Sequence, residues 1–243
     1  MEIRGLAFLL FLWVIWTLSG LCALIALTVI PGHVKYPYIS DTGRIFPESV
    51  VFTVVFLISA LFGAGNASIM YRFMIIRSEQ SERRHIICQR ILYVVAWMGC
   101  IGTIVTAIVS MRISPTVHRI GAGPAFFFCA VYNLGQAVCL YKKSFSSRRL
   151  CHIRLASTLV PIVGLLTFSV CLTIGFFQLL PCTGRCEEIY TRIGMVAEWT
   201  GFLGLIIHQL TNYTDFQHLS LTLSREGVSI GLREKTQDPE TPQ

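Results

Sequence analysis

Apolar residues along this chain are gathered into six long blocks separated by short polar segments. The blocks cover residues 6–30, 50–71, 91–111, 120–141, 155–180 and 193–213, and only the last contains an acidic residue or a histidine, Glu198 and His208. A helix needs about 20 residues to cross a hydrocarbon core of roughly 30 Å. Strands of a membrane barrel would be about 10 residues long and would alternate apolar with polar positions, which these blocks do not. The pattern therefore predicts an all-α integral membrane bundle of six transmembrane helices.

The composition excludes the common alternatives. Hydrophobic residues make up 53% of the 243 residues and charged residues only 14%, whereas a soluble domain carries about 25% charged residues. The net charge of +7 does not indicate a nucleic-acid partner, because the basic residues lie at the block ends. They could attract anionic lipid, although membrane orientation alone explains them more simply, and membrane lipids are the predicted partners. We predict one transmembrane domain over residues 1–220 and a disordered cytosolic tail over residues 221–243, because the chain turns polar after about Arg225.

The basic residues also predict the orientation. When the 20 Lys and Arg residues are sorted by alternate sides of the membrane, 14 fall on the side of the N-terminus, the loops near 77–90 and 142–154, and the C-terminus. Short loops rich in Lys and Arg stay in the cytosol. Both termini are therefore predicted to be cytosolic, and the loops near 31–49, 112–119 and 181–192 to be exoplasmic.

Five side chains near the predicted exoplasmic face form a candidate functional cluster. Tyr38, Asp41 and Glu48 lie in the first loop or at its end, His118 lies at the start of the fourth block, and Glu198 lies inside the sixth. An ionisable residue within a span suggests a function by default. Such a cluster could bind a lipid head group, a cation or a proton.

Structural roles explain the same residues. The first loop, rich in proline and turn residues, can be a rigid cap on the bundle, and Glu198 can pair with Arg119 or Arg192 to hold two helices in register. His208 is interpreted as a histidine satisfied by its neighbours within the bundle. We favour these structural interpretations for the individual residues.

The remaining motifs predict no catalysis. The chain has no phosphate-binding loop, nucleophile elbow or metal-ligand spacing, so we expect no enzyme activity, no metal and no cofactor. Cys182 and Cys186 lie in the last exoplasmic loop, where a disulfide bond around the intervening Gly184 is feasible. Small residues at helical spacing, including Ala197, Gly201 and Gly204, predict close helix packing.

The first loop contains the specific run Pro37-Tyr38-Ile39-Ser40-Asp41-Thr42-Gly43, followed by Pro47-Glu48. This run resembles the first-loop signature of the DNA-damage-regulated autophagy modulator (DRAM) family. Further similar segments occur in the same order along the chain: Val117-His118 through Gly121-Ala122, Cys151-His152-Ile153-Arg154, Ala197-Glu198-Trp199-Thr200, and Asp215-Phe216-Gln217.

This resemblance implies a non-enzymatic regulator of macroautophagy in lysosomal or endosomal membranes, linked to apoptosis in some family members. It marks Asp215, Phe216 and Gln217 as a candidate cytosolic motif, and it implies autophagy or lysosomal membrane proteins as partners. Related subfamilies suggest an alternative, a lipid-handling factor of the plasma membrane or Golgi that acts on phosphoinositides, lipid asymmetry or GPI-anchor lipids. A transporter or channel is a third alternative.

Overall fold

Six long helices account for most of the chain. The structure, a computed structural model, describes residues 2–34, 37–78, 83–143, 145, 147–177, 185–224 and 227–232. The helices are α1 (Ala7–Val29), α2 (Glu48–Arg77), α3 (Arg83–Ile108), α4 (Pro115–Lys143), α5 (Arg148–Phe177) and α6 (Arg185–Leu210). Each is long and apolar enough to cross a membrane, which confirms the predicted six-helix bundle. The orientation of its termini stays a prediction.

Short elements close the two ends of the bundle. A 3-10 turn, Ser40–Gly43, lies in the loop between α1 and α2, and we call that end of the bundle the cap end. At the opposite end, which we call the sheet end, a short helix α7 (Tyr213–Phe216) is followed by two strands. Successive helices run in opposite directions between the two ends.

A small antiparallel sheet joins the two chain termini at the sheet end. Strand β2 (Leu219–Ser224) lies between β1 (Glu2–Arg4) and β3 (Gly227–Leu232), with Leu221 opposite Ile3 on one side and Ile230 on the other. The prediction of a disordered tail from residue 221 is therefore wrong for residues 221–224 and 227–232. The polar residues at the end of the chain indicated disorder, but residues 219–224 and 227–232 alternate apolar with polar or glycine positions. They form two strands that pair with each other, and β2 also pairs with β1. Residues 233–243 lie outside the described part.

Glycines allow two helix pairs to approach closely. A Cβ atom on Gly102 of α3 would lie 2.6 Å from the backbone nitrogen of Ala125 in α4. A Cβ atom on Gly164 of α5 would lie 2.8 Å from the Cα of Gly201 in α6. Because apolar burial does not drive association between helices in lipid, such backbone contacts are a main source of packing energy.

The interior contains three buried apolar clusters, and two of them lie at opposite ends of the bundle. The sheet-end cluster includes Leu6, Leu10, Met70, Phe73, Met74, Leu140, Phe216 and Leu219, and the cap-end cluster includes Leu21, Leu24, Ile39, Phe52, Val55, Phe56 and Ala107. Apolar side chains also cover the outer surface, as Ile15, Leu61 and Leu166 do, with 60%, 69% and 63% exposure. An outer surface of this kind fits contact with lipid.

Candidate functional site

The loop between α1 and α2 is fastened to the middle of α6. We call its residues 37–47 the cap loop. The backbone N–H of Ile39 donates to Glu198 Oε2 at 2.7 Å, and Trp199 Nε1 donates to the carbonyl of Pro37 at 3.0 Å. Glu198 and Ile39 are both buried, each 3% exposed. Two neighbouring residues of one helix thus hold two nearby backbone groups of the loop.

Tyr38 adds a third connection between the cap loop and α6. Its hydroxyl donates to the carbonyl of Thr191 at 3.1 Å, and its ring lies 5.9 Å from the ring of Phe168 in α5. Burial, together with the negative charge of Glu198, raises the pKa of Tyr38 to about 12. The phenol therefore remains a protonated donor at any physiological pH.

Asp41 organises the turn of the cap loop. Its Oδ2 accepts the backbone N–H of Tyr38 at 3.4 Å, and the Thr42 hydroxyl donates to the Ile39 carbonyl at 2.6 Å. Burial raises the pKa of Asp41 above its ordinary value of 3.8, although the Tyr38 hydrogen bond and the positive charge of Arg44 oppose this. The turn therefore contains a carboxyl group that folding pushes toward its neutral form.

His118 presents an unpartnered nitrogen to the interior. Its Nδ1–H donates to the carbonyl of Val109 at 2.7 Å, and the side chain is 2% exposed. Its Nε2 is buried and has no hydrogen-bond partner among the residues that the structure describes. A buried polar atom of this kind usually indicates a water molecule or ligand at the site.

Four of the five predicted cluster residues line one cavity. It lies between α4 and α5 at the cap end and has a volume of about 680 Å³, with Tyr38, Asp41, His118 and Glu198 in its lining. Most of the remaining lining is apolar: Ala122, Phe126, Phe127, Ala130, Val131, Ile162, Leu165, Leu166 and Phe168. This volume lies within the usual range of ligand sites, about 300–1,000 Å³. An apolar cleft with polar groups in its lining can accommodate an amphiphile.

Glu48 stands apart from the other four residues of the predicted cluster. It begins α2, is 2% exposed, and its Oε1 lies 2.7 Å from Nδ1 of His33. It does not line the α4–α5 cavity. The role of His33 was missed, because a loop histidine gives no sign in the sequence of the carboxylate it contacts.

The expected pairing of Glu198 with an arginine is replaced by the bond to the loop backbone. Arg192 instead donates to Glu188 at 2.5 Å, four residues away on the same helix, where both side chains are half exposed. Glu198 therefore joins α6 to the cap loop. The interpretation of the loop as a rigid cap agrees with this contact.

Asp215 and Phe216 act as anchors at the sheet end. Asp215 Oδ2 accepts from Arg154 Nη2 at 2.5 Å, and the same nitrogen donates to the carbonyl of Thr211 at 2.7 Å. Arg154 and Phe216 are completely buried, whereas Gln217 is exposed and donates its backbone N–H to Tyr213. The motif thus fastens α7 and the sheet to α5, and only Gln217 faces outward.

A chain of buried amides in the bundle interior was not predicted. Asn212 donates to Gln209 at 3.1 Å, and Gln209 donates to Asn133 at 2.7 Å. The Nδ2 atoms of Asn133 and Asn66 have no partner in the described residues, and both side chains line a central cavity of about 110 Å³. Such a cavity is large enough for ordered water. Single Asn and Gln residues inside apolar blocks were its only signal in the sequence.

Three further expectations concern His208, the cysteine pair of the last exoplasmic loop, and metal binding. His208 is 2% exposed and lies 2.9 Å from the Ser157 hydroxyl, which confirms a histidine satisfied within the bundle. Cys182 and the side chain of Cys186 lie outside the described residues, so their disulfide stays a prediction. Within the described part of the chain, no group of three or more His, Cys, Asp and Glu side chains could hold a metal ion.

The fold and site define a six-span membrane protein whose first cap-end loop is fastened to its last long helix. Residues 5–219 match the family model described as the Frag1/DRAM/Sfk1/Cwh43P N-terminal domain. The chain belongs to this family, which confirms the resemblance found in the sequence.

Individual relatives match over nearly the whole chain. DNA damage-regulated autophagy modulator protein 1 of Homo sapiens is 31% identical over 229 residues, covering 92% of this chain and 96% of the relative. The protein of the same name from Xenopus laevis is 32% identical over 231 residues, with the same coverage. No solved structure matches the chain.

Proposed function

We propose that this protein is a non-enzymatic regulator of macroautophagy that acts in lysosomal or endosomal membranes, with a link to apoptosis. The supporting observation is the similarity to proteins named DNA damage-regulated autophagy modulator protein 1 over 92% of this chain. That similarity spans the cap loop, the α4–α5 cavity and the Asp215 anchor together. It therefore includes every part of the site described above.

The geometry favours an action on the membrane or on the lumen. The cap loop and the cavity lie at the end that the basic residues predict to be lumenal, and the sheet end presents only short elements. Membrane lipids and autophagy or lysosomal membrane proteins are the proposed partners. Contacts with such proteins would be made within the bilayer or through the exposed surface near Gln217.

The test combines localisation with autophagic flux. Cells depleted of the protein are complemented with the wild type, Glu198→Gln or the matched control Glu188→Gln, which changes an exposed carboxylate of the same helix. Turnover of an autophagosome marker is measured with and without a lysosomal inhibitor. We expect depletion to lower flux, and the wild type and Glu188→Gln to restore it. Unchanged flux after both depletion and overexpression, with the protein only at the cell surface, would refute the proposal.

The α4–α5 cavity favours lipid handling as a second candidate function. Its apolar walls face a bilayer, and polar side chains line the same space. Gly123 lines this cavity, and a Cβ atom there would meet no other atom within 4 Å. Gly123→Trp should therefore fill the cavity, whereas Gly65 has equally open surroundings on α2 and makes Gly65→Trp a matched control.

Reconstituted liposomes separate this function from the first. Movement of a fluorescent phospholipid between leaflets is followed by chemical bleaching of the outer leaflet. Lipid handling predicts faster movement with the wild type and Gly65→Trp, and movement near the protein-free rate with Gly123→Trp. Equal rates for empty and protein-containing liposomes would exclude lipid movement by this protein, whatever its effect on autophagy.

A further inference from the structure

Two cysteine thiols face each other across the interface of α3 and α4. Cys88 Sγ and Cys139 Sγ are 3.7 Å apart, and both residues are partly buried. They belong to the seven free cysteines among the described residues. Neither takes part in the cap-end site, and their 51-residue separation along the chain hides the pair from sequence patterns.

The side chains of α3 and α4 pack closely near these thiols. A Cβ atom on Gly135 of α4 would lie 2.3 Å from the Leu92 side chain of α3. Nearby, Gln136 donates to Gln89 at 3.1 Å between the same helices. Bonded sulfur atoms lie about 2.05 Å apart, so small rotations of the two cysteine side chains would bring these atoms to bonding distance.

Their position exposes the pair to oxidants. Cys88 lies in the second turn of α3, and Cys139 lies four residues before the end of α4, so both are near the membrane surface at the sheet end. That end is predicted to be cytosolic, where disulfides are usually transient and redox-sensing.

We propose that Cys88 and Cys139 are a modification site that forms a reversible disulfide bond with a peroxide as oxidant. One thiolate attacks the peroxide, forms a sulfenic acid and releases hydroxide. The second thiol then displaces the hydroxyl group as water and forms the S–S bond. Overall, the two thiols lose two electrons and two protons, and hydrogen peroxide becomes two molecules of water. The bond ties α3 to α4 at the sheet end, independently of the function proposed above.

Mass spectrometry of the full chain in lipid nanodiscs tests the proposal. The protein is treated with hydrogen peroxide, alkylated without reduction and digested. We expect the peptide linking Cys88 to Cys139 to increase at least tenfold over the untreated sample, and dithiothreitol to remove it. Cys22→Ser, which removes an exposed cysteine elsewhere, should leave the linked peptide unchanged.

Cys139→Ser is the informative variant, because the hydroxyl replaces the thiol with little change of size. It should lose the linked peptide, and oxidation should no longer raise its unfolding temperature as it does for the wild type. Diamide, which oxidises thiols to disulfides without peroxide chemistry, provides a second oxidant. The proposal is overturned if both thiols remain free after both oxidants, if each is oxidised separately to a sulfinic acid, or if they bond to other cysteines.

Discussion

Removing the Glu198 carboxylate should release the cap loop. In Glu198→Ala the buried N–H of Ile39 loses its acceptor, which lies 2.7 Å away in the wild type. A buried donor left without an acceptor costs about 1–3 kcal/mol, so we expect the free energy of unfolding to fall by about 2 kcal/mol. Glu198→Gln retains an acceptor of similar shape, and a loss of about 1 kcal/mol is expected.

The matched control is Glu188→Ala on the same helix. Its bond to Arg192 is half exposed, and exposed ion pairs contribute about 0–1 kcal/mol because solvent screens them. Denaturant unfolding in detergent micelles measures the three variants against the wild type. Trypsin cleavage after the exposed Arg44 reports release of the cap loop and should be fastest in Glu198→Ala. If Glu198→Ala matches Glu188→Ala in both assays, the loop is held by other contacts and the reasoning is wrong.

Three further predictions concern the turn, the sheet end and the helix packing. Folding raises the pKa of Asp41 above 3.8, so its contribution to stability is complete below that pH and is lost as the pH rises through the raised pKa. The unfolding temperature, followed from pH 3.8 upward, should therefore show this dependence in the wild type and less of it in Asp41→Asn. Asp215→Ala removes the carboxylate facing the buried guanidinium of Arg154 and should cost about 3–5 kcal/mol in denaturant unfolding, so a loss below about 1 kcal/mol would contradict an anchoring role. Gly164→Ala places a Cβ atom 2.8 Å from the α6 backbone and should cost about 1–3 kcal/mol, whereas Gly63→Ala, with its nearest atom at 3.7 Å, should be neutral or stabilising by the same measurement.

The cap-end cluster was only partly predictable from the sequence. Tyr38, Asp41, His118 and Glu198 were identified because ionisable residues near or inside apolar spans are conspicuous. Their shared cavity depends on how α4 and α5 pack against each other, and no local sequence pattern specifies that packing. Glu48 is also an ionisable residue next to an apolar span and was assigned to the cluster for that reason, but its carboxylate contacts His33.

The small sheet was not predicted from the sequence. Residues 221–232 alternate apolar positions with polar residues or glycine, which is typical of strands, but the predicted disordered tail overlooked this short pattern. Strand β2 is stabilised by pairing with β1, more than 200 positions earlier. Because strand pairing depends on partners that are distant in sequence, composition alone could not reveal it.

The sequence by itself determined the number, the approximate limits and the membrane character of the six helices. Each of these depends on local quantities, the length of an apolar run and the 1.5 Å rise per helical residue. The tertiary structure decided which groups meet: Glu198 with the Ile39 N–H over 159 residues, Arg154 with Asp215 over 61, and Cys88 with Cys139 over 51. Almost every residue has a backbone N–H, and the local sequence around a cysteine does not identify the residue that its thiol contacts. Only the packing of the helices selects the partners.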